Sequence, residues 1–452
     1  MTFLRHVFSR LNEQIKLFEE SSLLSVRGII ILYFITGLFF AAQSTWTSTD
    51  SLMTSLLVPN IAQGHGLDLS KVRQVQEMTD PDGCFFRYAP SGYYLSIYPI
   101  GMFILSLPLQ LTLWFGAWFL GAPVDVTSLG VFHTRFEIEK ATASFIAALT
   151  VFGLHRCLFQ IVSRAASRFT VLLFIAGSSC LSMLCQGLWQ HTGINLLLIW
   201  MVAYLLSDRE KPTFGAKWTF FFCCGFLVAI RPTAIVFSIA LGLAWFILFS
   251  KDRSILSIVG ELRSPVFAAI VGVSPAIFWN YFVWGNALGG YGIVLQKVID
   301  FNPRIIATRL GSILFSPYRG FIFYNPLCLL SFFSFKWSRS FDRRLSVVFL
   351  AIVSSCGIHL VLCATNPTWH GGLSFGPRYM LDTLALLFIL MGIGLDAVLS
   401  IRLYRLISQG IVALLSVYSF SIHFIGAKGA TIPWYWMQEL NHRICAWFTT
   451  LP

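Results

Sequence analysis

The sequence is a succession of apolar runs, about 15 to 30 residues long, separated by short basic segments. A bilayer core takes roughly 20 residues of helix, and backbone inside it must satisfy its own hydrogen bonds. Hydrophobic residues make up 56% of the 452 and charged residues 12%, against about 25% charged in an ordinary soluble domain. A soluble enzyme, a disordered chain and a secreted disulfide scaffold are all excluded. The expectation is an all-α polytopic membrane protein.

Clear spans fall at 27–46, 137–156, 169–187, 190–207, 265–283, 319–335, 345–363, 380–399 and 406–425. Residues 218–250 are too long for one crossing, and Arg231-Pro232 interrupts them. A charge at mid-bilayer costs about 2.5–3.5 kcal/mol or more. Two short spans turning near Arg231 are therefore expected, with an acidic side chain or lipid phosphate close to it. Residues 94–120 are apolar enough to cross, but Pro99, Gly101 and Pro108 are expected to break them up.

Charge sets the topology. About nineteen of the 32 Lys and Arg residues lie at the N-terminus or in the short segments around 156–168, 208–217, 251–263, 336–344 and 402–405. Short inner loops collect such residues. All these segments share one side only if 94–120 is re-entrant or lies along the outer surface. That gives about eleven transmembrane helices, with the N-terminus cytoplasmic and the C-terminus outside. Residues 1–26 have no apolar core before Gly28, so no cleavable signal is expected. Their Leu4, Val7, Phe8, Leu11, Ile15 and Phe18 instead suit a cytoplasmic amphipathic helix. The transmembrane domain covers 27–425, with a long first outer loop at 47–136. An outer tail occupies 426–452, where Trp434-Tyr435-Trp436 suits an aromatic belt. The net charge of +12 is thus topological, and no nucleic-acid partner is expected. Most cysteines sit inside apolar runs and no CxxC occurs, so no disulfide is expected.

Several polar residues stand where chemistry is possible. Asp50 follows span one at the outer boundary, where partial desolvation would make a carboxylate a better general base; its structural alternative is a helix N-cap. Arg378, in a glycine-rich loop, and Arg319 stand at the mouths of spans, suited to binding phosphate or to snorkelling. Glu139-Lys140 is read first as an ion pair and second as a ligand contact. His191, in the short outer turn between two spans, is read as a hydrogen-bonded interface residue before a catalyst. Asp80-Pro81-Asp82-Gly83 reads as a turn. His359 and Cys363 share a helical face, with no further ligand evident for zinc. No metal site and no phosphate-cradling GxxxxGK[ST] or GxGxxG motif is found.

Particular segments resemble the GT-C superfamily of integral-membrane glycosyltransferases, which includes protein O-mannosyltransferases and bacterial lipid A aminoarabinose transferases. They are Thr49-Asp50-Ser51, Tyr98-Pro99-Ile100-Gly101, Glu139-Lys140, Trp189-Gln190-His191, Arg231-Pro232-Thr233, Ser316-Pro317-Tyr318-Arg319-Gly320 and Ser374-Phe375-Gly376-Pro377-Arg378-Tyr379. The resemblance implies a bacterial inner-membrane enzyme with membrane-surface helices in the first outer loop. It implies transfer of a sugar, with inversion, from a polyprenyl-phosphate donor to a glycan, lipid or protein acceptor on the outer face. Asp50 matches the catalytic acid position. Many relatives carry two adjacent acidic residues there; Ser51 in this chain leaves a single base, and neither metal nor cofactor is implied. Arg378, with Arg319, Lys140 and Arg231, would hold the donor phosphate. His191, Trp369, His370, Tyr88 and Glu139 would line the substrate. Two alternatives remain: an O-antigen polymerase or ligase, with the weight on His370 and Arg378, and a polytopic lipid or solute transporter. The absence of paired broken helices counts against the transporter.

Overall fold

The computed structural model describes residues 26–42, 49–72, 86–128, 131–207, 212–250, 255–290, 301–317, 319–337, 341–366, 369, 375–400 and 405–428. The expected amphipathic helix before residue 26, the turn at 80–83, His370 and the aromatic cluster at 434–436 lie outside the described residues. In chain order come α1 (Val26–Ala41), α2 (Thr49–Ala62), β1 (Phe86–Tyr88), β2 (Tyr94–Ser96), α3 (Gly101–Phe119), α4 (Val131–Ile161) and α5 (Arg164–Ala176). There follow α6 (Gln190–Leu206), α7 (Phe214–Ile230), α8 (Ile235–Phe249), α9 (Ile255–Trp279), α10 (Pro303–Phe315), α11 (Arg343–Ala364), α12 (Leu384–Ser400) and α13 (Arg405–Ala427).

Local chemistry marks several helix starts. Ser163, Thr213 and Asp342 accept the backbone N–H three residues on, and Asn302 accepts from Arg304 ahead of Pro303 at the first helical position. Among the described residues, eight helices are long and apolar enough to cross a bilayer: Gly101–Phe119, His133–Ile161, Arg164–Leu184, Pro232–Phe249, Leu262–Trp284, Arg343–Ala364, Arg378–Ser400 and Ser408–Ala427. The chain is an integral, multi-pass helical membrane protein. Arg27–Ala41, Gln190–Leu206, Phe214–Ile230 and Pro326–Phe335 are apolar but shorter.

Two expectations need correction. Residues 101–119 are not broken up: α3 is a continuous helix of 19 residues with Pro108 inside it, and its length suffices to cross. Pro108 withholds the N–H that the Ile104 carbonyl would accept, and the helix runs on through that one missing bond. The expected single span at 319–335 is instead three short pieces, Phe321–Tyr324, Pro326–Leu330 and Ser331–Trp337. Pro326, lacking an N–H, starts the second piece as a 3-10 turn.

Among the described residues, two hydrophobic cores result. The larger fills the helical bundle. It is drawn tight by small residues: a Cβ at Gly225 would lie 1.9 Å from the Ala269 carbonyl oxygen, and one at Gly272 would lie 2.2 Å from that of Phe222, so α7 and α9 meet backbone to backbone. The smaller core joins Leu52, Leu56 and Leu57 of α2, Phe86 and Leu95 of the antiparallel ribbon, Phe103 and Trp114 of α3, and Trp284. We call this second unit the platform. Asn60 fixes its loop by donating to the carbonyls of Gly66 and Asp68 (both 2.9 Å), and Gln110 Nε2 ties α3 to α2 through Thr54 O (2.9 Å). The platform docks on the bundle at Gly101, whose Cβ would lie 2.4 Å from the Ala229 carbonyl, and through Met102 and Leu105 against Gly193. Ala229 and Gly193 are two residues from Arg231 and His191.

Candidate functional site

The chain leaves α7 at Arg231 in an extended conformation, φ −154° and ψ 121°, before Pro232 opens a 3-10 turn into α8. This is the expected break, and the partner that Arg231 requires is Asp382. Arg231 Nη1 lies 2.9 Å from Asp382 Oδ2, and His191 Nδ1 lies 2.6 Å from Asp382 Oδ1. A carboxylate only accepts, so in that contact Nδ1 is the donor, and Arg231 Nη1 lies 3.0 Å from the same nitrogen. His359 Nε2 donates to Tyr379 O at 2.9 Å and stands 3.6 Å from Asp382 Oδ2, with Cys363 Sγ 3.4 Å away. The Arg231 guanidinium also faces the Tyr379 ring, 5.4 Å from its centroid. Asp382 is wholly buried; a carboxylate there is tolerable only when paired and hydrogen-bonded.

Asn195 holds the two halves of this cluster in register. Its Nδ2 donates to His191 O (2.8 Å) and Leu381 O (2.7 Å), while its Oδ1 accepts from Ala385 N (2.8 Å). The amide thus clamps the first turns of α6 to the 3-10 turn Arg378–Thr383 that leads into α12.

Other sequence segments meet beside it. The Arg378 guanidinium lies over the Trp189 ring, 4.8 Å from its centroid. Arg319, buried, donates from Nη1 to Gly376 O at 3.3 Å. Gly376 has φ +68°, a left-handed turn that suits glycine. Glu139 Oε1 accepts from Leu188 N at 3.1 Å, next to Trp189.

Of the candidate phosphate and substrate residues, the structure gathers Arg231, His191, Arg378, Arg319 and Glu139. Lys140 lies apart from Glu139: its Nζ donates to Ala42 O (2.8 Å) past α1 and sits 5.7 Å from the Phe40 ring centroid. The expected Glu139–Lys140 ion pair is therefore corrected. Glu139 pairs instead with Arg135, 3.3 Å away and one turn earlier on the same face, because adjacent helical residues point in different directions. Arg135 Nη1 also donates to Ser55 of α2 at 3.3 Å, linking the platform to this cluster. Tyr88 belongs to the platform ribbon, exposed, with its ring 4.8 Å from that of Tyr94. Trp369 packs partly buried against the bundle core. Helix α2 begins at Thr49, so Asp50 falls inside its first turn rather than before it; its side chain is outside the described residues, as is the whole of His370.

Asp382 and Asn195 were not singled out from the sequence. Asp382 carried a usable signal: an acid inside an apolar run needs a cation, and Arg231 needed an acid. His359 likewise gains a neighbour in Asp382 that its helical spacing to Cys363 did not suggest. Among the described residues, no group of three or more His, Cys, Asp or Glu side chains could hold a metal ion. Chemically, the arrangement places the guanidiniums of Arg378 and Arg319 beside a buried unit in which Asp382 joins Arg231 and His191. No family model matches this sequence, and comparison with curated proteins gives no match.

Proposed function

We propose that this chain is a glycosyltransferase of the bacterial inner membrane, moving a sugar from a polyprenyl-phosphate donor to a glycan, lipid or protein acceptor on the outer face. The observation that carries this reading is convergence. Segments around Glu139, 189–191, Arg231, Arg319 and 376–382 were picked out by resemblance or lie next to such residues, and they touch one another directly. The platform built from the first long loop abuts the same end of the bundle.

In this mechanism Asp50 takes the proton from an acceptor hydroxyl as its oxygen attacks the anomeric carbon. The bond from that carbon to the lipid phosphate breaks, and the phosphate leaves with the electron pair. Arg378 and Arg319 stabilise its growing charge. A single displacement inverts the anomeric centre. Asp382 and His191 position Arg231 and the 376–382 turn, and so act through Arg378.

The test is sugar transfer from radiolabelled polyprenyl-phosphate donors in membranes at matched expression. Asp50→Asn is expected to lower turnover by at least about 100-fold, the scale of a general base. Arg378→Ala should raise the KM for donor more than that for acceptor. Full activity of Asp50→Asn removes the proposed base. If Arg378→Ala abolishes transfer in that case, the chemistry belongs to a polymerase- or ligase-like enzyme, with the weight on His370 and Arg378.

A further inference from the structure

Along α6, from Leu196 to the end of the helix, a groove of about 650 Å³ opens between α4, α6 and α7. Its walls are mainly apolar, among them Leu149, Leu197, Trp200, Phe220 and Cys223, and Arg156 stands in its lining. Arg156 is exposed and lies near the end of α4, while Ser207, also lining the groove, follows the end of α6. The lining on α6 runs from Leu196 to Ser207, which at 1.5 Å per residue is about 16 Å. That is roughly half the 30 Å hydrocarbon core of a bilayer, the depth of one leaflet. Trp200 fixes the groove's wall by donating from Nε1 to Leu149 O at 3.2 Å.

We infer that this groove holds an anionic glycerophospholipid, one acyl chain lying against Trp200 and its phosphate facing Arg156. Charge and depth agree on that occupant. An acyl chain alone would satisfy the walls but not the arginine at the rim. A soluble anion would satisfy the arginine but not the apolar length. The site does not rest on the glycosyltransferase reading, since its lining shares no residue with the cluster around Asp382 and His191.

The full-length protein, reconstituted in mixed vesicles, tests this. Phosphatidylglycerol and phosphatidylcholine with brominated acyl chains are titrated separately. Quenching at Trp200 is taken as the difference between the parent protein and Trp200→Phe. Half-maximal quenching is expected at about five-fold less phosphatidylglycerol than phosphatidylcholine, the worth of one arginine beside an anionic headgroup. Arg156→Gln should erase that preference without changing quenching by phosphatidylcholine. Cys223→Phe should fill the groove and reduce quenching by both lipids. Equal quenching by the two headgroups, a preference that survives Arg156→Gln, or no quenching at Trp200 each overturns the assignment.

Discussion

Replacing Asp382 by leucine removes the carboxylate that accepts from Arg231 at 2.9 Å and from His191 at 2.6 Å. At that separation the Arg231 attraction alone is roughly 6 kcal/mol for an effective dielectric of about 20. Desolvation of both ions offsets much of it, and breaking such a buried pair from one side costs about 3–5 kcal/mol. Arg231→Met is expected to cost less, about 2–3 kcal/mol, because Asp382 keeps the His191 hydrogen bond and the nearby His359. The double variant Arg231→Met/Asp382→Leu leaves neither charge and should be less destabilised than the two single changes together by at least about 2 kcal/mol. SDS-driven unfolding of the purified protein, followed by tryptophan fluorescence, gives all four corners of this cycle. Additive single effects, with no coupling, would refute the claim that this pair is one electrostatic unit.

Other expectations follow from the packing and the hydrogen bonds. Asn195→Leu strands the buried groups that its amide satisfies and should cost at least about 3 kcal/mol in the same unfolding assay, whereas a loss under about 1 kcal/mol would show that the clamp is incidental. Gly101→Ala should cost about 1–3 kcal/mol and speed proteolysis of the platform, because its new methyl meets the Ala229 backbone; Gly116→Ala, with open space around it, should be neutral or slightly stabilising. Partial burial raises the affinity of the Asp68 carboxyl for its proton, but the Ser70 hydroxyl, the Tyr94 and Ser70 N–H groups and Lys71 outweigh it and hold the carboxyl below its usual range. Its contribution to the platform is therefore complete above about pH 4 and fades as pH falls through the lower, folded value. Protection of the Tyr94 amide against hydrogen exchange, relative to its intrinsic rate at each pH, should fall over that interval, and Asp68→Asn should abolish this loss of protection.

The sequence alone determined that this is a helical membrane protein, because apolar length and charge placement answer to the bilayer rather than to any neighbour in the fold. It also located the break at Arg231 and its need for a counter-charge, since a bare guanidinium among apolar residues is costly wherever the chain runs. Direction and distance were not legible. Glu139 turned from Lys140 to Arg135 by helical geometry, α3 stayed whole through Pro108, and the span expected at 319–335 broke at Pro326. Only the tertiary structure brought Asp382, 151 residues away, to Arg231, and only it set Arg378 on Trp189 and Arg319 on Gly376. Such pairings depend on how helices cross and which backbones approach closely, and these are decided by packing among residues far apart in the chain.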